Sequence, residues 1–503
     1  MPEVLDARLV PAAVMCWGIT VVTVLAGWWV GVMVVGLLVG VAIGVGVWMV
    51  RGRRERTRVM GMALLAAMVV GIGFGIAAAW REYRVATHPL RTAAVGTSLT
   101  VTIVPSDDPK PLPAKSFGAR QWMVQADLRE YRHGAVPVHA GGAVIVLATQ
   151  RGWPGLLPGQ AVRFRARLDR PWRRDLTVAV LRAQGPPVTV ERAPWWQRAA
   201  GSVRAHFAAA AARALPKTEA GLLPGLVDGD VSRLPDRVRA EFQQIELSHL
   251  LAVSGTNVTI VLAAVMISVR LLTIDPRVGA VLAAVALIGF VVLARPSPTV
   301  LRAAVMGGVA VLAVMLGRRK QALPALSGAT IGLLGWSPEL ALDIGFALSV
   351  LATIGLIVLA PRWSHWLEDR GWRRGPAEAV GVATAAFLLT APLIVALTGH
   401  VGLLAILANL LVEPVIAPIT VVGALGALLS CVWLPAGVLV LRLTGPPLWW
   451  LLSVAEHGAA LGISVDLPDG PRGGFATAIV VAGLLILLHR ITRPADHSGA
   501  DPP

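Results

Sequence analysis

Polar side chains are scarce in the apolar stretches of this 503-residue chain, and those that stand there are where its chemistry has to be sought. The densest run is His249-Leu-Leu-Ala-Val-Ser-Gly-Thr-Asn-Val258, with a histidine, a serine and an asparagine at the head of an otherwise greasy segment. Lipid offers polar groups no partner, so at membrane depth they face a bundle interior or a wet cavity. His249, Ser254, Gly255 and Asn257 therefore read either as the lining of a pore or gate, or as contacts between helices, Ser254 and Gly255 allowing close approach. The residues alone leave both readings open. A hydrolase using Ser254 with His249 is disfavoured by geometry, because five helical residues at roughly 100° each leave the two side chains about 140° apart.

Two further runs read as broken helices. Ala294-Arg-Pro-Ser-Pro-Thr-Val-Leu-Arg302 sets two prolines and two arginines between apolar segments, which makes Pro296 and Arg302 candidate pathway residues. A plain interfacial turn is the competing reading of Arg295 and Arg302. Asn409-Leu-Leu-Val-Glu-Pro-Val-Ile-Ala-Pro418 places Asn409, Glu413 and two prolines inside a span. Discontinuous spans free backbone groups that line transport pathways. Asp343 and Glu413 are the acids expected at membrane depth, where a carboxylate needs a partner; Arg302 is the candidate for Asp343.

The elements that position these residues are membrane helices. Hydrophobic residues make up 55% of the chain and charged ones 15%, against about 25% charged in soluble proteins. The apolar runs reach the roughly twenty residues that a bilayer core requires. Pro11–Val50 carries no charge at all, which is too long for a signal peptide and reads as two spans turning near Gly27-Trp28-Trp29. A third span, about Val59–Trp80, follows the basic loop Arg51–Arg58. By the positive-inside rule that loop and the N-terminus are cytoplasmic, and residue 81 emerges outside. Cys16 and Cys431 lie within apolar spans and read as packing residues, not as a disulfide or metal site. Nine later spans, at about 247–272, 278–294, 299–316, 321–336, 339–360, 377–397, 401–430, 434–463 and 473–489, bring the expected total to about twelve.

Between the first three spans and the rest the pattern changes. Residues 98–104, 121–128, 143–147, 161–168 and 176–181 alternate apolar and polar with turn residues between them, as antiparallel strands do. Five such strands suit a small all-β barrel, with an OB-fold the natural candidate. Val162, Phe164, Ala166 and Leu168 point one way, Arg163, Arg165 and Arg167 the other. Residues 81–192 hold 17 Arg plus Lys against 8 Asp plus Glu, a surplus that the positive-inside rule does not explain for an outward-facing domain. Trp195–Leu215 reads as an amphipathic interfacial helix, anchored by Trp195 and Trp196 with Arg198 and Arg204 facing water. The expected organisation is residues 1–80 as N-terminal helices, 81–192 as an extracytoplasmic OB-like domain, 193–246 as interfacial helix and connector, 247–490 as channel core and 491–503 as a disordered cytoplasmic tail.

The motifs His249–Gly255, Pro296–Met306, Asp343–Leu356 and Ala408–Pro414 occur in the order seen in the ComEC family of competence proteins. Leu215–Asp230 looks like that family's approach to its membrane core, and the strand-rich insert resembles its OB-like domain, so the resemblance covers nearly the whole chain. It implies a channel in the cytoplasmic membrane that passes single-stranded DNA during natural transformation, without a cofactor. The implied partners are single-stranded DNA and membrane lipids, with a DNA receptor, a cytoplasmic helicase or translocase and a separate nuclease as further ones. Within it, Arg163, Arg165, Arg167 and Arg129 would hold the phosphate backbone, and Trp122 and Tyr131 would stack bases. A solvated or headgroup-facing surface is the competing reading of the arginine strand. Full-length members often end in a metallo-β-lactamase-like domain. No H-x-H-x-D-H pattern occurs here, so the chain is expected to be no enzyme and to have no nuclease activity of its own. The β domain lacks the cysteines found in some members, and Glu246-Leu-Ser stands where the family resemblance leads one to expect a Gly-Leu pair. The alternative function is a secondary transporter of a small anionic solute with a soluble accessory domain, which would show substrate-coupled ion flux and no DNA affinity in residues 81–192.

Overall fold

A computed structural model describes residues 6–51, 55–112, 121–133, 136–149, 152–251, 255–295, 298–315, 322–402 and 404–491. Its contacts divide the chain into two units, Met1–Asp236 with Leu251–Phe346 and Ile419–Gly445, and Arg237–Leu250 with Ala347–Pro418 and Pro446–Pro503.

The first unit opens with α1 (Val10–Ala26), α2 (Trp28–Arg51) and α3 (Glu55–Ala86), as the uncharged run and the basic loop predicted. The α1–α2 turn is stapled to α3: Trp28 stacks on Trp29 at 3.7 Å, meets Tyr83 edge-on at 5.1 Å, and its backbone N–H donates to Glu82 at 3.3 Å. Lipid supplies no hydrophobic drive between helices, so they must fit closely. At Gly75 a Cβ would lie 2.5 Å from Val35 Cγ2, which is why nothing larger stands there.

Past the short α4 (Pro89–Thr92), the chain forms β1 (Ser98–Pro105), β2 (Lys110–Pro111), β3 (Trp122–His133), β4 (Val136–Ala148), β5 (Val162–Asp169), β6 (Thr177–Ala183) and β7 (Val188–Thr189). The order β1-β3-β4-β6-β5, with β5 pairing back onto β1, closes a five-stranded barrel. Among the described strands only β4 and β6 run parallel. The two-residue periodicity sends Val162, Phe164, Ala166 and Leu168 into a core shared with Val101, Ile103, Val124, Val146 and Leu181. Trp153 closes it, meeting Phe164 edge-on at 4.7 Å.

Further helices of this unit are α5 (Trp195–Ala214), α6 (Lys217–Val227), α8 (Gly255–Leu271), α9 (Pro276–Ala294), α10 (Pro298–Met315) and α11 (Ala322–Trp336). Between α6 and α8 come α7 (Asp236–Gln244) and a 3-10 turn at Ser248–Leu251, and a second such turn covers Pro338–Leu342. Trp17 of α1 donates to Ala341 O at 2.9 Å and lies 5.3 Å from the Phe346 ring, fixing α1 against this second turn.

The chain continues through α12 (Ile344–Val358), α13 (Ala360–Glu368), α14 (Arg374–Thr398), β8 (His400–Gly402), α15 (Ala405–Val432), α16 (Leu434–Arg442), α17 (Gly445–Leu461), β9 (Ser464–Asp466) and α18 (Gly470–Ile491). In the second unit, α13, α14 and α18 pack around Ala360, Trp363, Ala385, Leu388 and Val481. β8 and β9 pair antiparallel through His400 and Asp466.

The count of about twelve spans is not reached. Among the described residues seven helices are long and apolar enough to cross a membrane, or eight if α16 and α17, bent by 50°, form one span. Each expected segment does hold a helix, but within the described residues α1, α8, α10 and α11 give apolar stretches of at most 17 residues. The expected break at Asn409–Pro418 is also absent, since α15 runs through Pro414 and Pro418 without interruption. Prolines are tolerated in such helices because neighbouring groups take up the freed carbonyls.

Candidate functional site

The strongest polar constellation lies where the barrel meets the helices of its own unit. Asp108, in the loop after β1, accepts from Arg295 Nε at 3.0 Å and pairs with Arg204 Nη2 at 3.2 Å. Arg295 also donates to Gln197 of α5. Arg204 reaches the Leu293 carbonyl at 3.1 Å and lies 3.9 Å from the carboxylate of Asp228. Asp228 is 1% exposed, and burial pushes its carboxyl up to about 6 although Arg204 beside it pulls the other way. Two buried cations, the buried Asp228 and the partly exposed Asp108 thus share one site, in which removing any single member leaves an uncompensated charge.

Sequence reading missed this cluster. It set Arg204 facing water on an amphipathic α5, whereas the guanidinium is only 11% exposed and ion-paired. The spacing of Arg198 and Arg204 held no sign of this, because Asp108 comes from a loop 96 residues earlier. The signal that could have been used was Arg295. It is a cation directly before a proline at the end of an apolar run, and in the structure its backbone takes φ +67° and ψ 148°, which a non-glycine residue holds only when its surroundings force it.

Of the gate residues, Gly255, Asn257 and Arg302 fall within one packed group. A Cβ on Gly255 would lie 3.3 Å from both Ala303 Cβ and Arg302 Nη2, so the glycine lets α8 and α10 touch. Asn257 is buried and donates to Leu226 O at 2.8 Å, tying α8 to the end of α6. Arg302 is 5% exposed with Nη1 3.2 Å from Met306 Sδ. Asp343 accepts from Phe346 N at 2.6 Å and so caps α12. His249, in the second unit, lies 3.1 Å from Glu246 O through Nδ1, while Asn409 of that unit donates to Ala405 O of its own helix and Glu413 is exposed on α15. Ser254 and Pro296 lie outside the described residues.

Glu246 takes φ +58°, the left-handed conformation that favours glycine. This is the reason the resemblance leads one to expect glycine there. Its carboxylate accepts from Gly402 N at 2.6 Å, which offsets the strain, and burial raises its pKa.

The barrel face also differs from expectation. Tyr131 is 8% exposed in the barrel core and has no free ring for a base. Arg129 pairs with Glu191 at 2.6 Å, and Arg163 with Glu130 at 3.3 Å. Trp122 is half-buried at the start of β3. Arg167 donates to the Gly96 carbonyl at 3.3 Å, and Arg165 is exposed and forms no ion pair among the described residues. Among the described residues, Arg165 and Arg167 are thus the arginines of this strand that form no ion pair.

Together these features define a class: a polytopic helical membrane protein that carries a small β barrel between its third helix and the remaining helices. The sequence model of the family described as Competence protein matches residues 226–492, a little over half of the chain. The chain belongs to that family. It is 31% identical over 157 residues to the ComE operon protein 3 of Bacillus subtilis (strain 168), an alignment that covers 31% of this chain and 20% of the relative. No solved structure matches it.

Proposed function

We propose that the chain forms a path for single-stranded DNA across the cytoplasmic membrane in natural transformation, with the barrel meeting the strand first. On this reading the N-terminus is cytoplasmic, the barrel lies outside, and the chain conducts rather than catalyses. The barrel's closed order with one parallel pair is that of an OB-like module, a fold whose strands and loops hold oligonucleotides. One observation carries the reading. Asp108, on the loop after the barrel's first strand, is held between Arg204 and Arg295, so the barrel is coupled by charge to the helix end at which the family-matched segment is broken. A strand bound by Arg165 and Arg167 would approach that point with its phosphates neutralised.

The test is binding of a labelled oligonucleotide to the purified full chain in detergent, read by fluorescence anisotropy at several salt concentrations. Affinity should fall steeply as salt rises from about 50 to 200 mM, since each phosphate contact releases counterions. Arg165→Glu with Arg167→Glu should weaken binding about tenfold or more and flatten the salt slope. Unchanged binding in that variant would remove the barrel from the path.

A further inference from the structure

We propose that the loop joining β5 to β6, Arg170-Pro-Trp-Arg-Arg-Asp175, is a docking surface for anionic lipid headgroups of the bilayer that holds α1–α3. Trp172 is 57% exposed on it, and Arg170, Arg173 and Arg174 are exposed beside it. Among the described residues none of the three arginines forms an ion pair. The neighbouring acids are engaged elsewhere, Asp169 with Arg182 at 2.7 Å and Asp175 with the Thr177 N–H at 2.9 Å. The loop therefore presents an indole and uncompensated guanidinium groups.

Its depth is fixed by a contact. Arg174 Nη1 donates to Leu25 O at 3.3 Å, in the last turn of α1. Three residues on, Trp28 and Trp29 stack at the α1–α2 turn, Trp29 being 66% exposed. Trp80 and Tyr83 of α3 join the same aromatic group, and both are exposed. Exposed Trp and Tyr at the ends of apolar spans mark the depth where hydrocarbon gives way to headgroups. A loop tied to that level brings Trp172 to the membrane surface, with guanidinium forks whose planar geometry matches lipid phosphate. This is independent of the DNA reading and rests only on α1–α3 lying in a membrane. It also gives part of the barrel's arginine surplus a role.

The test uses the full chain with Cys16→Ser and Cys431→Ser, carrying a nitroxide at Trp172→Cys or at Val188→Cys. Val188 pairs with Arg163, six residues up β5 from Asp169, about 20 Å away at roughly 3.3 Å per residue. The protein is placed in nanodiscs of pure phosphatidylcholine or of equal parts phosphatidylcholine and phosphatidylglycerol. In the anionic discs the label at 172 should collide more with dissolved oxygen than with a water-soluble nickel chelate, and the label at 188 should do the reverse. Arg173→Glu with Arg174→Glu should move the label at 172 to the aqueous behaviour of 188. Should that variant fail to insert, the comparison of the two lipid mixtures in the parent protein decides, because phosphatidylglycerol must deepen the label at 172. Equal water exposure at 172 and 188 in anionic discs would overturn the proposal. So would protection at 172 that appears only when an oligonucleotide is added, which would make the loop a nucleic-acid surface.

Discussion

Two carboxylates show how single residues are set by their surroundings. Glu246 combines a left-handed backbone, which costs an L-residue roughly 1–2 kcal/mol, with a bond to the Gly402 N–H. Glu246→Ala keeps the strain and leaves that buried donor unpaired, a loss of about 1–3 kcal/mol. Glu246→Gly removes strain and bond together and should stay close to the parent in thermal unfolding. If alanine proved as stable as glycine, the left-handed conformation at 246 would be wrong. Asp228 gives a pH dependence. Its folded pKa, about 6, lies above the ordinary 3.8, so folding favours the protonated form. The parent's melting temperature should therefore decline, relative to Asp228→Asn, as pH rises from about 4 to 6. Parallel curves over that window would show that the carboxyl is not held as described. The sequence showed at 246 only a departure from an expected glycine and at 228 an acid and its neighbours, not the loop or helix that would close over either.

Elements were far more legible than sites. The five strands stood out because one-sided burial forces a two-residue period, and β5 kept Val162, Phe164, Ala166 and Leu168 inward as its pattern required. The same pattern could not say which outward arginines would be neutralised, since Glu130 and Glu191 arrive from other strands and loops. Nor could it show that Tyr131 would turn inward, at a point where the β3–β4 register shifts between Leu128 and Glu130. Helix packing gives a prediction at this scale. A Cβ on Gly355 would lie 2.7 Å from the Ala385 carbonyl oxygen, and backbone cannot move aside as a side chain can. Gly355→Leu should separate α12 from α14 and lower stability by about 1–3 kcal/mol, seen as earlier thermal unfolding in detergent. An unchanged melting curve would mean that these helices do not touch there.

For the molecule as a whole, hydropathy located nearly every helix but overcounted the crossings. Among the described residues, runs such as the one containing α8 hold apolar helices shorter than the run itself, and length in a sequence does not reveal where a helix starts. Orientation can be measured directly. A thiol-reactive reagent that cannot cross membranes, applied to intact cells carrying Arg165→Cys in a chain with Cys16→Ser and Cys431→Ser, should label the barrel. Labelling only after lysis would place it in the cytosol and end the proposed DNA path.

The return of β5 onto β1 has a consequence for what the barrel can recognise. Where β1, β3, β4, β6 and β5 pair in a ring, both edges of each strand are taken, so an incoming chain cannot be captured there by lengthening the sheet. Whatever polymer passes this module has to be gripped by side chains and loops, and a few point substitutions there can retune its selectivity while the scaffold stays as it is.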